Sequence, residues 1–281
     1  EAELSNCEDE CPETALRLAV VLYRGGSVER AVEVLRNVAP EQRSETIWRT
    51  LSLFQKKAHD LEGGIRTLEQ AGRQGKLGPE TQRELAELYL LAGYYGKAIE
   101  AFTALDGSAI MEPWRLSYQL GYAYLEQGRL RKAREYFERS LKQSPDNVAA
   151  QSLTAFACNE LGDKERAREL WTRSVRKDPK NPVLLINVGL AREAEGDYEG
   201  ALENYLKAKE LSKDDAGLQI NIGNAYAGMG RTGEALAAYA RALDSEKRQT
   251  AAYNIFLLAR KGGDDRKARK MAELLRRERS G

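Results

Sequence analysis

The stretch Gly121-Tyr122-Ala123-Tyr124-Leu125-Glu126-Gln127-Gly128-Arg129-Leu130-Arg131-Lys132-Ala133-Arg134-Glu135-Tyr136-Phe137 decides the fold, because its landmarks return at a fixed spacing. Gly121, Tyr124, Gly128, Ala133, Phe137 and Pro145 are followed 34 residues later by Ala155, Cys158, Gly162, Ala167, Trp171 and Pro179. The same positions come back as Gly189, Gly196, Ala201 and Tyr205, then as Gly223, Tyr226, Gly230, Ala235 and Tyr239. A constant period of this length marks a stacked repeat, not a domain wrapped around one core. It also redirects the functional question, since a stack presents a long curved surface in place of one enclosed pocket.

Let the first glycine of that stretch be slot 8 and its alanine slot 20. Units then begin near Pro12, Glu45, Pro79, Trp114, Val148, Pro182, Ala216 and Gln249, with steps of 33, 34, 35, 34, 34, 34 and 33 residues. Small residues in slots 8 and 20, such as Gly121 with Ala133 and Gly223 with Ala235, let two helices cross closely. Slot 15 holds Gly26, Gly93, Gly128, Gly162, Gly196, Gly230 and Gly263, where a positive φ would end the first helix of each unit. Slots 7, 11 and 24 are mostly large and apolar, as in Leu120, Tyr124 and Phe137, and fill the layer between helices. Pro145 and Pro179 in slot 32 stop the second helix. Each helix runs for about 14 residues, or about 20 Å, too little to bury its apolar face alone, so stability comes from stacking.

This pattern resembles the tetratricopeptide repeat, a helix–turn–helix unit of about 34 residues. The resemblance implies an all-α fold, a right-handed superhelical solenoid of about eight such repeats. It predicts an acidic N-terminal segment over residues 1–11 and a single array over residues 12–281. Two units depart from the pattern. The second keeps Trp48 in slot 4, Leu51 in slot 7 and Leu68 in slot 24, but carries Ser52 in slot 8, His59 in slot 15 and Gly64 in slot 20. It reads as a degenerate repeat. The first keeps Gly26, Ala31 and Leu35 and has no aromatic residue in slots 4, 8, 11 or 24.

Composition narrows the class. A net charge of +1 with 31% charged residues fits a soluble chain and argues against specific nucleic-acid binding, for which no reading motif is present either. Length alone suggests about two globular domains, which the repeat overrides. No apolar run approaches the ~18 residues of a transmembrane helix, and no low-complexity linker interrupts the chain. Charge is uneven at the ends. Glu1, Glu3, Glu8, Asp9, Glu10 and Glu13 face no basic residue in the first 13, whereas residues 260–279 hold nine basic side chains against four acidic. Solvated caps explain both. The alternative is an anionic partner for the last helix, through Arg266, Lys267, Lys270, Arg276 and Arg277.

The chain begins at Glu1 with no initiator Met, which predicts a processed or excised form. A short disulfide between Cys7 and Cys11 would fit an oxidising compartment, and two reduced thiols on a terminal segment fit equally. The expectation leans to an exported or periplasmic protein over a cytoplasmic one. Cys158 occupies slot 11 and reads as a core residue.

Catalytic chemistry is not indicated. His59 is the only histidine, and with three scattered cysteines it makes no zinc pattern. The glycines sit on the repeat lattice, with no phosphate loop or nucleophile elbow among them. The expectation is a non-enzyme without cofactor or metal.

The resemblance also implies where a ligand would lie. In this family the first helix of each unit lines the concave face, with slots 2, 5, 6, 9, 12 and 13 pointing into it. Slot 6 holds Gln119, Asn187, Asn221 and Asn254. Asparagine is a poor mid-helix residue, so its threefold return needs a cause. The run is similar to slot-6 asparagines in the repeats of the O-linked N-acetylglucosamine transferase, which hold the backbone of an extended peptide. An amide both donates and accepts, and so pairs with a peptide unit whatever its side chain. The other reading is a local bond from each Asn to the neighbouring repeat, and the two are compatible. Slots 5 and 9 add Tyr118, Tyr122, Phe156 and Asn224, and the three aromatics are expected to form an apolar anchor near the middle of the array. Such a patch would otherwise pack on the chain itself or on a second copy in a homo-oligomer. Family members that clamp a C-terminal carboxylate use Lys and Asn in matching slots. The pairs Arg49/Leu53, Arg83/Glu87, Ser152/Phe156 and Ile186/Leu190 lack that combination.

These readings converge on a non-catalytic scaffold that binds an extended or helical protein segment. The alternatives are a bacterial cell-envelope adaptor for pilus, secretion or polysaccharide-export assembly, and a regulatory module of a larger enzyme.

Overall fold

The computed structural model describes residues 12–212 and 215–278. Among them are sixteen α-helices, one 3-10 turn at Pro40–Gln42 and no strand. They fall into two compact units, Glu1–Pro145 and Asp146–Gly281. The first holds α1 (Pro12–Arg24), α2 (Val28–Asn37), α3 (Glu45–Lys57), α4 (Leu61–Arg73), α5 (Pro79–Leu91), α6 (Tyr95–Ala104), α7 (Pro113–Glu126) and α8 (Leu130–Gln143). The second holds α9 (Val148–Glu160), α10 (Lys164–Lys177), α11 (Pro182–Ala194), α12 (Tyr198–Leu211), α13 (Ala216–Gly228), α14 (Thr232–Arg241), α15 (Arg248–Lys261) and α16 (Asp265–Glu278). The odd-numbered helices each start within one residue of a repeat start read from the sequence. Within each unit, every helix packs on the next one along the chain.

The turn inside each pair is three residues long, and its last two residues shape it. At Gly162-Asp163 the glycine has φ +87°, and the Asp163 N–H reaches back to the Cys158 carbonyl at 2.8 Å. That is the Schellman geometry, which needs a left-handed residue. Asp163 then caps α10 by accepting from the Arg166 N–H at 3.3 Å. Asp197 caps α12 in the same way. In the degenerate second repeat the left-handed residue is His59, at φ +61°. The Asp60 N–H still bonds to the Gln55 carbonyl at 2.8 Å, and Asp60 caps α4. So the turn survives although its glycine does not.

The crossing of the two helices is set by slots 8 and 24 more than by slots 8 and 20. A Cβ on Gly121 would stand 2.6 Å from the Phe137 ring. Gly189 and Gly223 meet the rings of Tyr205 and Tyr239 alike. Sizes in the two slots are complementary along the chain. Small Ala19, Ser52, Ala86 and Ala155 stand in slot 8 where slot 24 has Leu35, Leu68, Phe102 and Trp171. In the last pair they are exchanged, with Phe256 in slot 8 and Ala272 in slot 24, both lining a cleft of about 410 Å³. The slot-20 residues are buried beside them, from Ala31 to Ala268. In the second repeat the pair is Ser52 and Gly64, joined by a hydrogen bond from Ser52 Oγ to the Gly64 carbonyl at 3.2 Å.

Two substitutions check these constraints by thermal melting. His59→Gly relieves a left-handed side chain and should stabilise by about 0.5–1 kcal/mol. Gly223→Ala pushes a methyl into the Tyr239 ring and should destabilise by about 1–3 kcal/mol. Gly233→Ala, where the added methyl meets open space, is the control and should be neutral or slightly stabilising.

Candidate functional site

In the second unit the first helices of successive pairs also touch one another, α11 with α13 and α13 with α15. The second helices make no comparable contact with each other. The stack therefore closes on the side of its first helices, which form the inner face. The same holds for α1 and α3 in the first unit.

Slot 9 on this face carries large apolar side chains left in solvent. In the second unit Phe156 is 41% exposed, Leu190 42% and Leu257 47%, and Tyr253 in slot 5 is 53% exposed. Each lies on a helix whose opposite side is buried, so packing within the unit does not need them. Slot 6 divides. Asn187 on α11 and Asn221 on α13 are half-buried, and their amides find no hydrogen-bond partner among the described residues. Asn254 on α15 instead donates to Asn224 Oδ1 at 3.3 Å, which ties α15 to α13. The local reading of the ladder thus describes Asn254, and Asn187 and Asn221 remain open.

Asn224 is the centre of a polar cluster. The Tyr239 hydroxyl donates to the same Oδ1 at 2.8 Å. Glu193 on α11 lies near this cluster, where Asn224 favours its charged form. The Tyr205 hydroxyl donates to Glu193 Oε2 at 2.8 Å. Burial pushes the Glu193 carboxyl above the usual carboxylate range, and the bonds from Tyr205 and Asn224 only partly offset it. Burial, helped by the charge of Glu193, lifts the Tyr205 and Tyr239 hydroxyls, the latter to about 12. Sequence reasoning missed Glu193, although slot 12 is one of the inner-face slots. The signal was there in the tyrosines of slot 24, whose hydroxyls need a buried partner.

The first unit holds the other predicted residues. On α7, Gln119 is half-buried with no hydrogen-bond partner among the described residues. Tyr118 packs its ring on Phe137, centroids 5.9 Å apart, and burial raises its hydroxyl. The Tyr122 hydroxyl is raised by burial and by Glu126. The expected aromatic anchor thus has Tyr118 and Tyr122 in the first unit and Phe156 in the second. A cleft of about 400 Å³ between α3 and α5 includes Arg49, Lys56 and Arg83. Arg49 is paired with Glu84 at 2.6 Å and Arg83 with Glu80 at 3.0 Å. Both arginines are already matched within the chain.

Elsewhere, Cys158 is buried, as its slot predicts. Cys7 and Cys11 lie outside the described residues. Ala268 and Met271 are buried while Arg266, Lys267, Lys270 and Arg277 are exposed, so α16 keeps an apolar face on α15 and a basic face outward. No group of three or more His, Cys, Asp or Glu suited to a metal occurs among the described residues. No helix among them is long and apolar enough to cross a membrane.

An all-α stack of helix pairs with an exposed inner face is the architecture of a protein-interaction scaffold. Residues 118–182 and 216–249 match the tetratricopeptide repeat, and residues 189–230 match the TPR repeat. Tetratricopeptide repeats therefore lie within residues 118–249. Among solved structures it is similar to a tetratricopeptide repeat protein from Parabacteroides merdae, with TM-score 0.65 and 16% identity over 89% of this chain and 99% of that one. It is also similar to MamA AMB-1, with TM-score 0.52 and 25% identity over 57% of this chain and 95% of that one. MamA 41-end from Desulfovibrio magneticus RS-1 gives TM-score 0.54 and 22% identity over 61% and 97%. No curated protein matches the chain.

The Glu193 cluster makes a stability prediction. Its carboxyl takes a proton more readily in the fold than in the unfolded chain. Its contribution is therefore most favourable at and below the ordinary carboxylate range, and declines as pH rises through the raised value. Glu193→Gln keeps an acceptor for Tyr205 and carries no charge. It should melt a few degrees above the parent at neutral pH, with the gap closing on acidification.

Proposed function

We propose that the chain is a non-catalytic scaffold that holds an extended or helical protein segment on the inner face of its repeats. The observation that carries this is the pair of open amides, Asn187 and Asn221. They stand in one slot of successive repeats, half-buried, each with donor and acceptor unused among the described residues. The donor and acceptor of each amide are free to pair with a bound chain. A peptide backbone supplies a donor and an acceptor at each residue and fits both. Leu190, Leu257, Phe156 and Tyr253 add exposed apolar area beside them. Asn254 and Asn224 support the face from behind through their mutual bond. On the first unit, Gln119, Tyr118 and Tyr122 offer a smaller surface of the same kind.

The test is a pull-down from the source organism's lysate with the parent chain and with Asn187→Ala/Asn221→Ala. A partner retained by the parent should be lost or weakened at least about tenfold in the double variant, as expected for the loss of two hydrogen-bonding groups. Circular dichroism should show the fold intact. Equal retention by both forms would remove the amides from the reading.

A further inference from the structure

We propose that the inner face of the second unit selects its bound segment by one cationic side chain, a lysine or arginine, seated on Glu193 and flanked by apolar residues. This rests on the reading of that face as a peptide-binding surface.

Glu193 follows Asn187 and Leu190 at successive three-residue steps of α11, so the three neighbour one another along the helix. Its carboxylate receives the Tyr205 hydroxyl at 2.8 Å, with Asn224 beside it. A carboxylate has about four lone-pair positions, so roughly two stay open. No cation among the described residues pairs with it. The adjacent Arg192 lies 3.8 Å from Asp197 and donates to the Gly200 carbonyl at 3.1 Å. Only burial and two neutral donors act on Glu193, and no positive neighbour pulls its carboxyl back down. A half-buried carboxylate without a counter-charge is costly unless a cation completes it.

The surroundings are prearranged. Tyr239 and Asn254 both hold the oxygen of Asn224. Tyr205 is buried and anchored against Gly189. Tyr205 cannot rotate away without breaking that core contact. Beside the carboxylate, Leu190 is exposed. A lysine or arginine matches that pairing, with its aliphatic stem on Leu190 and its charged head on Glu193. A bare metal cation would need more acidic ligands than Glu193 supplies, and no such group exists among the described residues.

The test selects a displayed library of random peptides, about ten residues long, on the full chain, on Glu193→Gln and on Asn187→Ala/Asn221→Ala. A synthetic copy of the enriched peptide, and one with norleucine in place of its cationic residue, are then titrated by fluorescence anisotropy. The parent chain should enrich lysine or arginine at one position between apolar residues. The norleucine peptide should bind at least about tenfold more weakly. Glu193→Gln should lose that preference and still enrich the apolar residues, whereas the double asparagine variant should weaken both peptides alike. Cationic enrichment that survives Glu193→Gln overturns the proposal, and so does enrichment of acidic or uncharged segments only. In those cases the peptide-binding reading stands. No enrichment at all overturns both. A dimer seen by light scattering, with no peptide enriched, would mean a second copy covers the face, and the proposal falls.

Discussion

A side chain of the second helix resting on nearly bare backbone of the first is the contact on which the rest depends. Where slot 24 is an aromatic ring, slot 8 is reduced to glycine or alanine, and in the last pair the two exchange sizes. The contact fixes how closely the helices of a pair approach. It also fixes how each first helix is rotated, and so which slots are buried and which face outward. Truncating a buried ring of this kind costs about 3–5 kcal/mol. In two repeats the ring is a tyrosine, and the constraint then reaches further. Once the ring is seated on Gly189 or Gly223, its hydroxyl has one place to go, the inner face. There it meets Glu193 or Asn224. Core packing and the chemistry of the surface are one arrangement.

Much of this was legible in the residues. The left-handed glycines, the buried slot-20 alanines and the helix starts follow from a local rule repeated along the chain, and local rules survive without knowledge of neighbours. His59 shows the limit of the rule and its strength together. The slot was recognised although its residue was unusual, and the backbone takes the conformation the slot demands. The partner of each slot-8 glycine was harder to read, because slots 20 and 24 are one helical turn apart and both lie near it.

The candidate site was legible only in part. Asn187, Asn221 and Asn254 look identical in the sequence, yet Asn254 is used inside the chain and the other two are not. The difference comes from Asn224, which occupies a slot that is leucine in both neighbouring repeats. It offers Asn254 a partner one repeat away. Glu193 escaped notice for the same reason. Its importance lies in two tyrosines and an amide contributed by other helices. Interactions between repeats depend on which residues share a turn of the stack, and a slot table read one row at a time does not display them. Tyr118 is a milder case, since its slot is on the inner face while its ring leans on Phe137.

Within each unit, the packing of each helix on its immediate chain neighbours has a kinetic side. Substantial contacts link helices that are consecutive or one helix apart, so no distant segments must find each other before structure is rewarded. Loop closure then costs little, and the mean sequence separation of contacts stays low, as in the fastest-folding helical proteins. The three-residue turns shorten the search again, because each pair is joined by almost no slack. During synthesis a pair can close as soon as it leaves the ribosome, and the next one adds to a surface already formed. The chain grows its structure in the order in which it is made.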